Sequence, residues 1–279
     1  MAATGLNPAD WAVCGGFMAG SLPRGIGFDV AGTVDALGDD VSDVAPGDLV
    51  FGTADVTGQA SGGVADVAIL REWAAVPDGL GVSEAAAMPM VVKTAHWTLG
   101  ALGVRAGDTV VIHGAGAMVG YAAVQIALEL GAGVLATAGP TYADELAGLG
   151  ADVTPRGEGM VERLRALADG PIDLVLDTAP PTPGTVAQLL RLVDEPANVV
   201  TISNHSDARE LGARVNLDLL RDAATTLTSP PELLARYAAK AAAGRFRIPV
   251  GRTFPLDRWR DAVELSISGN PRGKVILAP

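Results

Sequence analysis

The chain has 279 residues, 49% of them apolar, a mean hydropathy of +0.31 and a formal net charge of −12. That is more apolar material than one core usually holds, so two domains are expected, and 35 Gly and 18 Pro without any repeat argue for many turns rather than disorder. Basic residues stand singly, which argues against nucleic acid and anionic membrane surfaces as partners.

The start of the chain has no basic segment followed by an apolar one, and no apolar run reaches about 18 residues, so a soluble, cytoplasmic protein is expected. One cysteine, Cys14, excludes a disulfide framework and a multi-cysteine zinc site. Residues 1–85 read as short strands between turns. "FDVAGTVDAL", "GDLVFGT" and "GGVADVAIL" mix β-branched residues with alternation, punctuated by "VAPGD" and "VPDG", as in a barrel or sandwich. Near Ser83 the character changes: Ser83 and Glu84 precede an alanine-rich run, a capped helix start that Pro89 must break or kink.

From Thr109 strands and helices alternate. "TVVIHG", "GVLATAG", "IDLVLDTA" and "ANVVTIS" read as strands; "MVGYAAVQIALELGAG", "TYADELAGLGA" and "TPGTVAQLLRLV" read as helices. This order predicts an α/β fold with a parallel, doubly wound sheet. A mostly helical stretch, 215–244, and a tail with a short helix and the strand "KVILA" follow.

The stretch "VVIHGAGAMVG", residues 110–120, is a buried strand running into glycines and then an amphipathic helix. Backbone N–H groups at such a helix start can hold a pyrophosphate; the alternative is an ordinary strand-to-helix turn. One strand later, NAD-binding folds place an acid on the ribose. Here Thr137, Ala138 and Gly139 stand there, and the first acid is Asp144, which favours NADP over NAD. Arg156 is the nearest cation for a 2′-phosphate, a solvated loop arginine being the alternative.

Several segments in order resemble the medium-chain dehydrogenase/reductase superfamily, in its zinc-free quinone oxidoreductase and enoyl reductase branch. They are "ATGLNPADW", "GFDVAGTVDALGDDVSDVAPGDLVFG", "PDGLGVSEAAAMPM", "KTAHWTLGALGVRAGDTVVIHGAGAMVG", "LGAD", "DLVLDTA" and "FPLDRWRDAVELSISGNPRGKVIL". The resemblance implies a GroES-like β-barrel lobe from 1–87 and 246–279 and a Rossmann NADP-binding domain at 88–245, with nicotinamide in the cleft between them. It places Asn7 beside the nicotinamide ribose and substrate, Thr94 near the carboxamide, and Ser203 and Asn204 along the nicotinamide. Lys274 matches the terminal Gly-Lys. Together with the loop reading, the expected cofactor set is Thr94, Gly116, Ala117, Met118, Val119, Thr137, Gly139, Arg156, Ala179, Ser203, Asn204 and Lys274. Lys93, where relatives commonly carry an apolar residue, would donate to a developing oxyanion if it faces the substrate; a surface lysine is the alternative.

Zinc-dependent relatives carry a cysteine at Asn7 and a His-Glu pair at Phe28 and Asp29, and tetrahedral zinc needs such ligands, so no metal is expected. Three departures accompany the match. Ala115, Ala117 and Gly120 fall on the fingerprint positions, with Met118 for a usual glycine, which predicts weakened cofactor binding. Trp11 and Phe17 replace family tyrosines. The pattern also begins partway in, so the opening barrel strands are expected either upstream or absent, the latter leaving an edge that needs a partner.

The function expected is NADPH-dependent, zinc-independent reduction of an activated alkene or a quinone, with a homodimer as the expected assembly. A non-redox cyclase or isomerase of the same fold and a non-catalytic accessory protein are the alternatives.

Overall fold

The computed structural model describes residues 1–16, 24–56, 62–221, 230, 232–269 and 271–279. Phe17 and part of the stretch 215–244 lie outside the described residues. In chain order the elements are β1 (Ala3–Leu6), α1 (Pro8–Cys14), β2 (Asp29–Thr33), β3 (Leu49–Ala54), β4 (Leu70–Ala75), α2 (Val82–Ala86) and α3 (Pro89–Leu102). Then come β5 (Thr109–His113), α4 (Met118–Glu129), β6 (Gly133–Thr137), α5 (Ala143–Gly148), β7 (Asp152–Thr154), α6 (Met160–Leu167) and β8 (Leu174–Asp177). The rest are α7 (Thr185–Leu190), β9 (Val199–Thr201), α8 (His205–Leu211), β10 (Arg214–Val215), α9 (Asn216–Arg221), α10 (Leu233–Ala242), β11 (Val250–Pro255), α11 (Trp259–Ile267) and β12 (Lys274–Ala278).

Two compact units make up the chain, residues 1–93 with 230–279, and residues 94–229. The boundaries read from the sequence, 87/88 and 245/246, are here 93/94 and 229/230. The second difference has a clear cause: α10 packs against β4, so it joins the first unit.

The first unit holds a six-stranded sheet in the order β11-β12-β1-β2-β3-β4, antiparallel except for β11 beside β12. Its terminal strand β12 inserts next to β1, pairing Thr4 with Leu277 and Leu6 with Val275. Leu6, Phe254, Ala262, Val275 and Leu277 form the core there. The strand expected over "GGVADVAIL" is displaced: residues 62–69 bend, and β4 begins only at Leu70. Gly63 and Val64 instead donate their N–H groups to the carbonyls of Gly27 and Ile26, committing that backbone to a crossing.

In the second unit six parallel strands run β10-β9-β8-β5-β6-β7, a doubly wound order that reverses between β5 and β8. Val110, Val111 and Ile112 are fully buried, as expected where helices cover both faces of a parallel sheet. Val111, Leu135, Leu164, Val175, Val186, Leu189 and Val199 share one core. The switch between β5 and β8 is where such folds leave a crevice at the carboxyl ends of their strands.

Candidate functional site

The loop after β5 is built at that switch. Gly114 holds φ = +81°, and a Cβ there would lie 2.5 Å from the Ala179 nitrogen, so this position needs glycine twice over. Gly120 is equally constrained by close approach: a Cβ would meet Thr178 Oγ1 at 2.4 Å and the Gly114 carbonyl at 2.6 Å. Gly116 differs. The nearest atom a Cβ would meet is Tyr142 Cδ2 at 3.8 Å. Ala117 is the N-cap of α4 in extended conformation, and no side chain caps the helix. Its own N–H donates to the Gly114 carbonyl, whereas a helix leaves the N–H groups of its first residues, here Met118 and Val119, without intrahelical acceptors. The loop thus offers open space at Gly116 beside uncapped donors, a shape that fits a phosphate.

The walls of this loop are fastened by side chains. Thr137, expected at a ribose, is buried: its Oγ1 accepts from the Gly114 N–H (2.9 Å) and lies 2.8 Å from His113 Nδ1, while its carbonyl accepts from Ala115. Burial pushes His113 below the ordinary imidazole range, with the nearby Asp177 opposing that and Arg156 adding to it. Arg156 is exposed, and its charge is felt at His113. Gly139 is exposed with open space around it.

Across the switch, Asp177 is fully buried and accepts from Thr201 Oγ1 (2.8 Å), Asn204 Nδ2 (2.7 Å) and the Ala179 N–H (3.1 Å). Asn204 Oδ1 accepts from Thr182, and Ser203 Oγ donates to the Ala179 carbonyl. The structure therefore brings Ala179, Ser203 and Asn204 together as the sequence reading grouped them, but their side-chain bonds run to the protein itself. Asp177, Thr178 and Tyr142 escaped that reading; "DLVLDTA" carries two of them in plain view.

The first unit holds a second polar cluster. Asn7 caps α1 and is 3% exposed. Its Nδ2 donates to the Gly5 carbonyl (3.1 Å) and Asp29 Oδ2 (3.0 Å), and its Oδ1 accepts from Lys274 Nζ. Lys274 Nζ also meets Asp29 Oδ2 at 2.9 Å, and Met90 N–H donates to Asp29 Oδ1. Asp10 lies alongside, accepting from the Asn7 and Gly27 N–H groups at 2.7 Å each. Burial, against those two bonds, pushes its carboxyl up from 3.8 to about 6. Both side-chain N–H groups of Asn7, the residue placed beside the nicotinamide ribose and substrate by resemblance, are thus bonded within the chain. Lys274, placed with the cofactor by resemblance, is buried, with its ammonium between Asn7 and Asp29.

Lys93 lies apart, its ammonium against the Glu72 carboxylate on β4; a lysine has three donors, so two remain. Thr94 is half-buried on α3. Trp11, in a family tyrosine position, donates Nε1–H to Ser266 Oγ. At the place of a zinc ligand, Asp29 faces the Lys274 ammonium. Among the described residues no group of three His, Cys, Asp or Glu is placed to hold a metal ion, and no helix is long and apolar enough to cross a membrane.

Residues 1–93 match a family described as the alcohol dehydrogenase GroES-like domain, and residues 149–277 one described as zinc-binding dehydrogenase. Erythronolide synthase EryA2 of Saccharopolyspora erythraea is 41% identical over 161 residues, 55% of this chain; the match spans 4% of that relative's length. The quinone oxidoreductase of Homo sapiens is 27% identical over 99% of this chain and 86% of its own. The crystal structure of an alcohol dehydrogenase superfamily protein from Novosphingobium aromaticivorans superposes with a TM-score of 0.82, at 28% identity, covering 100% of this chain and 90% of that one.

Proposed function

Since the chain belongs to the medium-chain dehydrogenase/reductase superfamily, in its quinone oxidoreductase-like branch, we propose that it is an NADPH-dependent, zinc-independent reductase of activated alkenes or quinones. The observation that carries the reading is the loop at Gly116, open and uncapped while its neighbours Gly114 and Gly120 are sterically filled. When bound, a nicotinamide cofactor supplies hydride. The N–H groups of Met118 and Val119 hold its pyrophosphate. No carboxylate ends β6, and Arg156 is the cation for a 2′-phosphate. His113, kept neutral by burial, adds no charge beneath the loop.

On the acceptor side, Lys93 polarises the oxygen that gains charge, using donors that Glu72 leaves free. Asn7 is a positioning residue, fixed by Asp29 and Lys274. A zinc ion has no part in this reading, because the Lys274 ammonium already neutralises the carboxylate of Asp29. The human relative's name supports a quinone as acceptor.

The test is titration of the purified protein with NADPH and NADH, read by tryptophan fluorescence, followed by NADPH oxidation with a quinone and enone panel. NADPH is expected to bind more tightly. Gly116→Leu should weaken it at least tenfold, about 1.4 kcal/mol, with the urea midpoint unchanged. Arg156→Ala should erase the preference over NADH. Undetectable NADPH binding overturns the reading, and turnover without NADPH would move it to a cyclase or isomerase.

A further inference from the structure

The first unit carries an apolar groove of about 430 Å³ that the proposed reaction does not use. Val34, Leu37 and Val41 line it from the segment after β2, Val67 and Ile69 from the segment leading into β4, and Trp73 from β4 itself. Val67 and Ile69 are 64% and 57% exposed. Single apolar side chains at a surface need no explanation, but a contiguous group lining a concavity marks a binding face.

The charge around it indicates the occupant. Asp35 and Asp66 line the groove, and Asp39, Asp40 and Asp43 are exposed on the same segment as Leu37 and Val41. Between Arg24 and Arg71 the sequence has no lysine or arginine. Arg71 is engaged with Asp55, and no lysine or arginine side chain lines the groove among the described residues. Apolar lining inside an acidic rim favours a partner of the reverse pattern. A second copy meeting this face would bring aspartates against aspartates, and an anionic membrane surface would be repelled.

We propose that this groove docks a cationic amphipathic segment of another polypeptide, its large apolar side chains in the groove and its Lys or Arg residues against the aspartates. Helix-in-groove recognition has this division of labour, apolar anchors for affinity and charge for selection.

The test uses the intact chain and a fluorescein-labelled amphipathic Leu/Lys peptide, with a Leu/Glu peptide of the same pattern as control, followed by anisotropy. The Leu/Lys peptide is expected to bind and the Leu/Glu peptide not to. Ile69→Ser and the triple change Asp39→Lys, Asp40→Lys and Asp43→Lys should each weaken binding about tenfold or more. All four positions are exposed, so circular dichroism should be unchanged. Loss of affinity with the triple change but not with Ile69→Ser would reduce the effect to general attraction by an acidic protein, and overturns the proposal. Equal binding of both peptides overturns it as well. Concentration-dependent self-association abolished by Ile69→Ser would assign the face to a second copy instead.

Discussion

Each unit fastens strand ends with a buried carboxylate and an asparagine, yet the two clusters neutralise the charge in opposite ways. In the first, Asp29 has a full counterion, Lys274, with side-chain exposures of 0% and 3%. In the second, Asp177 receives hydrogen bonds from neutral groups: a threonine hydroxyl, an asparagine amide and a backbone N–H. An ion pair in a low dielectric is costly to break from one side, whereas a carboxylate solvated by dipoles loses one donor at a time. Their pH responses also differ in sign. Asp10, raised to about 6, gives stability that is present below 3.8 and lost as pH rises through about 6. His113, lowered from 6.5, gives stability present above 6.5 and lost as pH falls through its depressed folded value.

The contrast can be broken most sharply at Lys274. Lys274→Met strands the Asp29 carboxylate and should cost about 3–5 kcal/mol in urea unfolding. Adding Asp29→Asn should recover part of that, and a loss from Lys274→Met no larger than that from Asn204→Ala would remove the distinction between the clusters. Next is the acid-to-neutral slope. The stability gap between the native chain and Asp10→Asn should shrink by about 2.4 kcal/mol from pH 4 to pH 7, since a tenfold difference in proton affinity between the folded and unfolded chain is worth about 1.4 kcal/mol. His113→Gln should change the slope in the other direction, losing less stability than the native chain on acidification. Asn204→Ala takes one donor from Asp177 and should cost about 1–3 kcal/mol by the same urea assay. The smallest effect is at Lys93, whose partner Glu72 has 59% side-chain exposure. Lys93→Met should change stability by less than about 1 kcal/mol, so any larger consequence for turnover would come from chemistry rather than folding.

Much of this was legible in the chain. Strands β5, β6, β8 and β9 follow from their apolar runs, and α4 from its spacing, because parallel strands and their helices declare themselves locally. The strand expected over "GGVADVAIL" was not, since its backbone is drawn away by Gly27 and Ile26, contacts some 36 residues distant. The site divides the same way. Resemblance selects Asn7, Lys274, Ser203 and Asn204, yet what each does depends on partners such as Asp29 and Asp177 that lie 22 to 245 residues off. Thr137 shows the same dependence: its place at a strand end is visible in the sequence, but the bonds of its hydroxyl to Gly114 and against His113, which hold the loop, are not.

The three glycines of that loop answer to different masters over time. A mutation at 114 or 120 is removed by misfolding, whatever the protein binds, because the backbone of its neighbours fills the space. At 116 folding exerts no such pressure, so only selection on a bound ligand can hold the residue. A descendant that ceased to use a nucleotide would therefore keep its first and last glycines and lose the middle one, recording the change of function in a single codon.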